Sequence, residues 1–143
     1  MNEAINLFLK KLGLEKAVTF EKYDANGYDH MRIPGYKLDI PFNKEELCTR
    51  LATLFPDHAD QLRYFIADVW QTAAELRKLP KQITLPYVLC NALNNRHLIK
   101  YRQSTLQEVF DAFQLPLEAQ TLLALQWPDF LLPPEKLSFF FIK

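Results

Sequence analysis

Histidine and cysteine are the side chains through which this chain could most readily bind a metal or act as a nucleophile. His30, His58 and His97 stand far apart, and the sequence has neither an H-E-x-x-H pair nor a cysteine pair at ligand spacing. Cys48 and Cys90 lie in apolar helical stretches, where we expect small core residues rather than a disulfide framework. A cysteine–histidine nucleophile also needs an activating environment around the thiol. The sequence therefore identifies no metal site and no catalytic residue.

Glycine lets backbone amides approach a nucleotide pyrophosphate, and this chain has only three glycines. Gly13, Gly27 and Gly35 are too scattered for the G-x-G-x-x-G turn of a dinucleotide fold or for a Walker phosphate loop. We therefore expect no cofactor-binding residue in this chain. A redox enzyme built from it would need a nucleotide-binding segment from elsewhere.

Composition predicts one globular domain over residues 1–143. Hydrophobic residues make up 49% of the chain, which excludes disorder, because a disordered chain combines low hydrophobicity with high net charge. Seventeen basic residues balance seventeen acidic ones, so the basic excess of a nucleic-acid-binding protein is absent. No apolar run approaches the roughly 18 residues of a membrane-spanning helix. We expect a cytoplasmic protein with no nucleic-acid partner.

The secondary structure that must position these residues follows from the apolar periodicity. Apolar residues repeat at helical spacing over 5–12, and Gly13 supplies a left-handed stop. Alternation then predicts strands between residues 17 and 41, with turns at Asn26-Gly27 and Pro34-Gly35. The predicted fold class is α+β, mainly helical, with a small antiparallel three-stranded meander near the N-terminus.

Helices are predicted for most of the chain after this meander. The clearest lies between Asp57, its expected cap, and Pro80, with an apolar face from which Glu75 is excluded. Another helix is predicted from Pro86 to about Leu98. A capping box beginning at Ser104 or at Thr105 starts the next one.

The C-terminal run at residues 139–142 is apolar, whereas a free terminus is normally polar and exposed. This pattern predicts one of two arrangements. Either the natural chain continues beyond this point, or the end docks onto a core.

Several short sequence words, taken in order, resemble flavoproteins related to phytoene desaturase, in particular their carotenoid-isomerase and retinol-saturase-like members. The early words are Leu12-Gly13-Leu14, Tyr28, Pro34, Leu51 and Phe55-Pro56. The stretch 101–109 (YRQSTLQEV) resembles a helix start in that family. The stretch 126–134 (QWPDFLLPP), followed by Ser138-Phe139, is similar to the family segment Q-W-x-D-[YF]-G-L-P-P-x-x-x-S-F. Leu131 stands where the family has glycine, which predicts a different turn there.

The resemblance covers nearly the whole chain, and it implies the excised substrate-binding or lid region of a larger FAD-dependent oxidoreductase. The parent enzyme would desaturate, saturate or isomerise carbon–carbon double bonds of a lipophilic polyene, carotenoid-like or retinoid-like. The implied partners are the FAD-binding segments of the parent, the lipophilic substrate, and a membrane contacted peripherally. The chain alone would not be catalytic. The residues expected to line the substrate are Tyr101, Trp127, Phe130 and Leu132, each with loop geometry or core packing as its alternative role.

Two other classes of function stay open on the residues alone. A free-standing helical protein–protein interaction module would need no missing segment, and its aromatic faces would bind a partner or a second copy. A small lipid-binding protein would enclose a closed cavity instead of presenting an open apolar face.

Overall fold

The computed structural model describes residues 3–80, 82, 84–125 and 132–141. Helices account for most of the elements, which confirms the mainly helical prediction, and no described helix is long and apolar enough to cross a membrane. The elements in chain order are α1 (Glu3–Lys11), β1 (Asp29–Ile33), β2 (Tyr36–Ile40), α2 (Lys44–Leu54), a 3-10 turn (Pro56–His58), α3 (Ala59–Arg77), α4 (Leu85–Cys90), α5 (Arg96–Tyr101), α6 (Leu106–Ala112), α7 (Leu117–Ala124) and a final 3-10 turn (Phe139–Phe141).

Helix α1 ends at Lys11, and Gly13 follows it in the left-handed conformation predicted there, with a φ angle of +69°. The amides of Gly13 and Leu14 donate to the carbonyls of Lys10 and Leu9 at 3.1 and 2.9 Å, so the last turn of the helix keeps its hydrogen bonds. Ile5, Leu7 and Phe8 of α1 are nevertheless exposed, and Phe8 has 62% of its surface in solvent. The described part of the chain leaves this face uncovered.

The sheet has two strands, so the predicted three-stranded meander is wrong in its first strand. Strands β1 and β2 are antiparallel, with Met31 paired to Leu38 and both side chains buried. The two-residue loop between them contains Gly35 at φ +83°, which confirms the turn predicted there. Val18 and Phe20 alternate correctly for a strand, but both are exposed and form no ladder. Alternation stabilises a strand only when one face is covered.

The hairpin predicted at Asn26-Gly27 is also wrong, because Gly27 does not adopt the positive φ that such a turn requires. The carboxylate of Asp24 instead accepts a hydrogen bond from the Asn26 amide at 2.9 Å, which is the geometry of an Asx turn. Beyond this turn, the Phe42 amide donates to the Ala25 carbonyl at 3.0 Å, next to the β1–β2 pair. Residues 25–28 therefore run alongside the end of β2 without a hairpin of their own.

The core lies between the sheet, α2, α3 and the helices that follow. Asn43 caps α2 by accepting the Glu46 amide at 3.0 Å. The cap predicted at Asp57 is wrong, because Asp57 lies inside the 3-10 turn and His58 precedes α3 without a side-chain cap. The largest fully buried apolar side chains are those of Phe65, Phe110, Phe139, Leu38, Leu51, Leu62, Leu106, Leu122 and Val109.

The single helix predicted from Pro86 to Leu98 is two helices, α4 and α5, separated by a turn over residues 91–95. Three asparagines in this turn account for the break, since asparagine competes with helical hydrogen bonds and favours turns and caps. Cys90, expected in the core, is exposed at the end of α4, whereas Cys48 is half-buried in α2, and both are free.

The C-terminal turn docks onto the core, as one of the two predicted arrangements requires. Phe139 is 1% exposed and its ring packs against those of Phe65 and Tyr101. Thr105 and Ser138 form an antiparallel bridge, flanked by a 2.8 Å hydrogen bond from the Leu106 amide to the carbonyl of residue 137. Thr105, not Ser104, forms the capping box of α6.

Candidate functional site

Glu75 on α3 is the most heavily hydrogen-bonded carboxylate in the described part of the chain. The sequence placed it outside the apolar face of α3, but it is buried. Its Oε2 accepts the backbone amides of His97 and Leu98, both at 3.0 Å. These amides belong to the first turn of α5, where helical N–H groups have no partner within the helix. A side chain from α3 therefore caps α5.

His97 joins the same carboxylate through its ring. Its Nδ1 lies 2.6 Å from Oε1 of Glu75. Because a carboxylate only accepts hydrogen bonds, we assign the ring proton to Nδ1. The opposite ring nitrogen, Nε2, lies 3.8 Å from Oδ1 of Asp68. The imidazole is thus held between two carboxylates of α3, one bonded directly and one within electrostatic reach.

Asp68 extends this network to the end of α5. It accepts hydrogen bonds from the Tyr101 hydroxyl and, at 2.9 Å, from Nζ of Lys100. Burial raises the pKa of Asp68, but these two hydrogen bonds oppose it, and the net pKa is below its ordinary value. Burial, followed by the hydrogen bond to Asp68, raises the pKa of Tyr101 to about 12.

This α3–α5 network of Asp68, Glu75, His97, Lys100 and Tyr101 has the geometry of a structural clamp. Its histidine and both carboxylates are already engaged with each other or with backbone amides. Within the described residues, no group of three histidine, cysteine or acidic side chains could hold a metal ion. Asp68 and Glu75 are seven residues apart on one face of α3, and Lys100 and Tyr101 follow His97 by three and four residues on one face of α5. These spacings can be seen in the sequence.

An apolar groove lies beside this clamp, between the end of α3, α4, α5 and the C-terminal turn. Its volume is about 220 Å³. Asn95 and Arg102 are the clearly polar residues of its lining, and Tyr87 adds one phenol ring. The sequence analysis did not identify this groove, because its lining combines residues 76–102 with Phe140 of the C-terminal turn, and no local pattern shows that contact. Its remaining lining residues are Leu76, Leu79, Leu98, Ile99 and Phe140.

Of the four residues predicted to line a substrate, Tyr101 is buried in the clamp, Leu132 is exposed, and the other two are not described. Tyr101 is 4% exposed, packs on Phe139 and belongs to the clamp. Leu132 is 41% exposed and is not part of the groove lining. Trp127 and Phe130 lie outside the described residues. A lining role for these four stays a prediction, and neither Tyr101 nor Leu132 is part of the groove lining.

A larger and more polar cleft, of about 510 Å³, lies between the 24–27 turn, β2 and α2. The side chain of Arg50 braces it, because its Nη1 donates to the carbonyls of Asn26 and Asp39 at 2.5 and 2.6 Å. Arg50 also pairs with Glu46. Its guanidinium is therefore committed to holding the turn against α2, which leaves the apolar groove as the better ligand site.

The three glycines occupy three separate turns: one after α1, one in the 24–27 turn and one in the hairpin loop. A pyrophosphate cradle needs closely spaced glycines between a strand and a helix. The glycines of this chain do not fit a flavin dinucleotide, and no chemical step through a flavin is assigned to these residues. Comparisons with protein families, with curated proteins and with solved structures find no match for this chain.

Proposed function

We propose that this chain is the substrate-side region of a FAD-dependent oxidoreductase that acts on carbon–carbon double bonds of a lipophilic polyene. FAD would be held by other segments of the parent enzyme, and the chain alone would not be catalytic. The observation that carries this proposal is the apolar groove beside the α3–α5 clamp. Ligand sites are mainly apolar with a few placed polar groups, and this groove has that composition.

The position of the groove supports the link to the family resemblance. The segment most similar to the phytoene desaturase relatives ends with Ser138-Phe139, and the next residue, Phe140, is part of the groove lining. The clamp fixes α5 against α3 and so fixes two of the groove walls. A peripheral contact with a membrane, through which a polyene would arrive, belongs to the same proposal.

Binding of all-trans-retinol to the purified chain tests this proposal. Retinol fluorescence is expected to rise on binding, and Ile99→Asp is expected to weaken binding about tenfold, because it places a charge in an apolar wall. The matched control is Leu93→Asp, which adds the same charge at a residue that is 90% exposed and outside the groove lining. Equal effects of both variants, or purification of the chain with bound flavin, would contradict the proposal.

A second candidate is a free-standing helical interaction module, and the exposed face of α1 favours it. Ile5, Phe8 and Leu12 repeat at helical spacing and are all exposed. Such a face indicates a docking surface. A mass of 16.8 kDa for the intact protein in its source cell would favour the module over a region of a larger enzyme.

A further inference from the structure

One wall of the apolar groove contains a side-chain amide, that of Asn95, without a hydrogen-bond partner among the described residues. Asn95 is 9% exposed and precedes the first turn of α5, where an asparagine side chain normally caps the helix. It makes no cap, because Glu75 already accepts the amides of His97 and Leu98. Its carboxamide makes no hydrogen bond within the described part of the chain. This amide lines the groove, so it can hydrogen-bond a ligand group there.

The guanidinium of Arg102 lies at the same groove. The Nη1 of Arg102 donates to the Ile99 carbonyl at 3.1 Å, and the rest of its guanidinium has no carboxylate partner among the described residues. The two carboxylates nearest the groove belong to the clamp, where Glu75 bonds His97 and Asp68 bonds Lys100. The guanidinium of Arg102 is therefore left to pair with an anionic group in the groove.

From these features we propose that the groove binds the carboxylate-bearing end of a lipophilic acid. The first carbons of its chain would lie along Leu76, Leu98 and Phe140, and the carboxylate would accept hydrogen bonds from Arg102 and from the amide of Asn95. The volume of about 220 Å³ is below the roughly 300–1,000 Å³ of sites that bury a whole drug-sized ligand, so the groove takes one end only.

This inference rests on the proposed function, because it specifies the class of the lipophilic ligand. A neutral ligand end would leave the charge of Arg102 without a partner. An anionic membrane surface would use the basic residues at longer range, and it would not require the amide of Asn95 in the groove. The lipophilic acid is the ligand that engages both polar groups at once.

The experiment compares all-trans-retinoic acid with all-trans-retinol, which share an apolar chain and differ at the end group. The wild-type chain is expected to bind the acid about tenfold more tightly than the alcohol, as for a hydrogen bond to a charged group. Arg102→Gln is expected to abolish this preference by weakening the binding of the acid about tenfold. Arg96→Gln, on the same helix but outside the groove lining, is the matched control and is expected to keep the preference.

A second variant protects the test against local disturbance. Asn95→Asp keeps the size and helix-capping capacity of the residue but places a like charge beside the carboxylate, so it is expected to weaken binding of the acid selectively. Equal affinity of the wild-type chain for acid and alcohol would overturn the carboxylate assignment and leave the polyene proposal standing. Binding of neither would overturn both.

Vesicles of phosphatidylserine supply the remaining arm of the test. The inference would be overturned by a combined result: the vesicles bind the chain, Arg96→Gln and Arg102→Gln weaken that binding equally, and neither variant changes the preference for retinoic acid. The basic residues would then serve a membrane surface. Loss of the acid preference in Arg102→Gln alone supports the inference.

Discussion

Removing the Glu75 carboxylate is expected to cost the protein a large part of its stability. In Glu75→Ala, the amides of His97 and Leu98 lose their acceptor, and so does Nδ1 of His97. The side chains of Glu75 and His97 are 10% and 11% exposed, so water replaces these bonds poorly. Loss of a helix cap costs about 1 kcal/mol, and loss of a hydrogen bond to a charged group costs about 1.5–3 kcal/mol. We expect a loss of about 3 kcal/mol.

Urea unfolding followed by far-UV circular dichroism at pH 7 measures this loss. The matched control is Arg77→Ala, because Arg77 is an exposed residue at the end of the same helix and has no ion pair among the described residues. Exposed substitutions of this kind usually change the free energy of unfolding by less than about 0.5 kcal/mol. A loss below about 1 kcal/mol for Glu75→Ala, or equal losses for both variants, would refute the clamp as a stabilising unit.

Two further predictions concern an ionisation and a backbone angle. The pKa of Tyr101 rises from 10.0 to about 12, so the folded state binds the phenol proton more tightly than the unfolded state. The resulting stability is present below pH 10 and is lost as the pH rises towards 12. In Tyr101→Phe, the urea concentration at the unfolding midpoint is therefore expected to fall less steeply over that pH range, and an equally steep fall in both proteins would contradict the assignment. Gly35→Ala is expected to cost about 1–2 kcal/mol in thermal or urea unfolding, because the φ of +83° is strained for alanine although its Cβ would meet no atom within 4 Å. Gly35→Asn should cost less, since asparagine tolerates this region, and equal stability of all three proteins would argue against the turn geometry.

Local signals in the sequence predicted some helix ends and missed others, such as the start of α3 and the break between α4 and α5. Gly13 and the capping box at Thr105 act through backbone bonds within a few residues, so their roles follow from neighbouring sequence. The first strand of the meander failed for the opposite reason. Val18 and Phe20 have a suitable alternation, but a strand also needs a partner and a covered face, and these come from parts of the chain that no local pattern identifies.

The site was less predictable than the fold. Glu75 was assigned to the exposed side of α3, because a charged residue is rarely buried without a specific partner. Its partners are backbone amides of another helix, and such a contact leaves no sequence signature. Asn95 was equally hidden, since its free amide follows from Glu75 having taken the capping role.

The bridge between Thr105 and Ser138 has a consequence for how the protein can be re-engineered. Helices α6 and α7 lie in the segment between these two residues, so the start and the end of this segment are paired side by side. A different segment grafted at this junction would need to replace the apolar contacts that residues 106–124 now make with the core. Besides Val109, Phe110 and Leu122, the described core residues of this segment are Leu106, Leu115, Ala119 and Ala124.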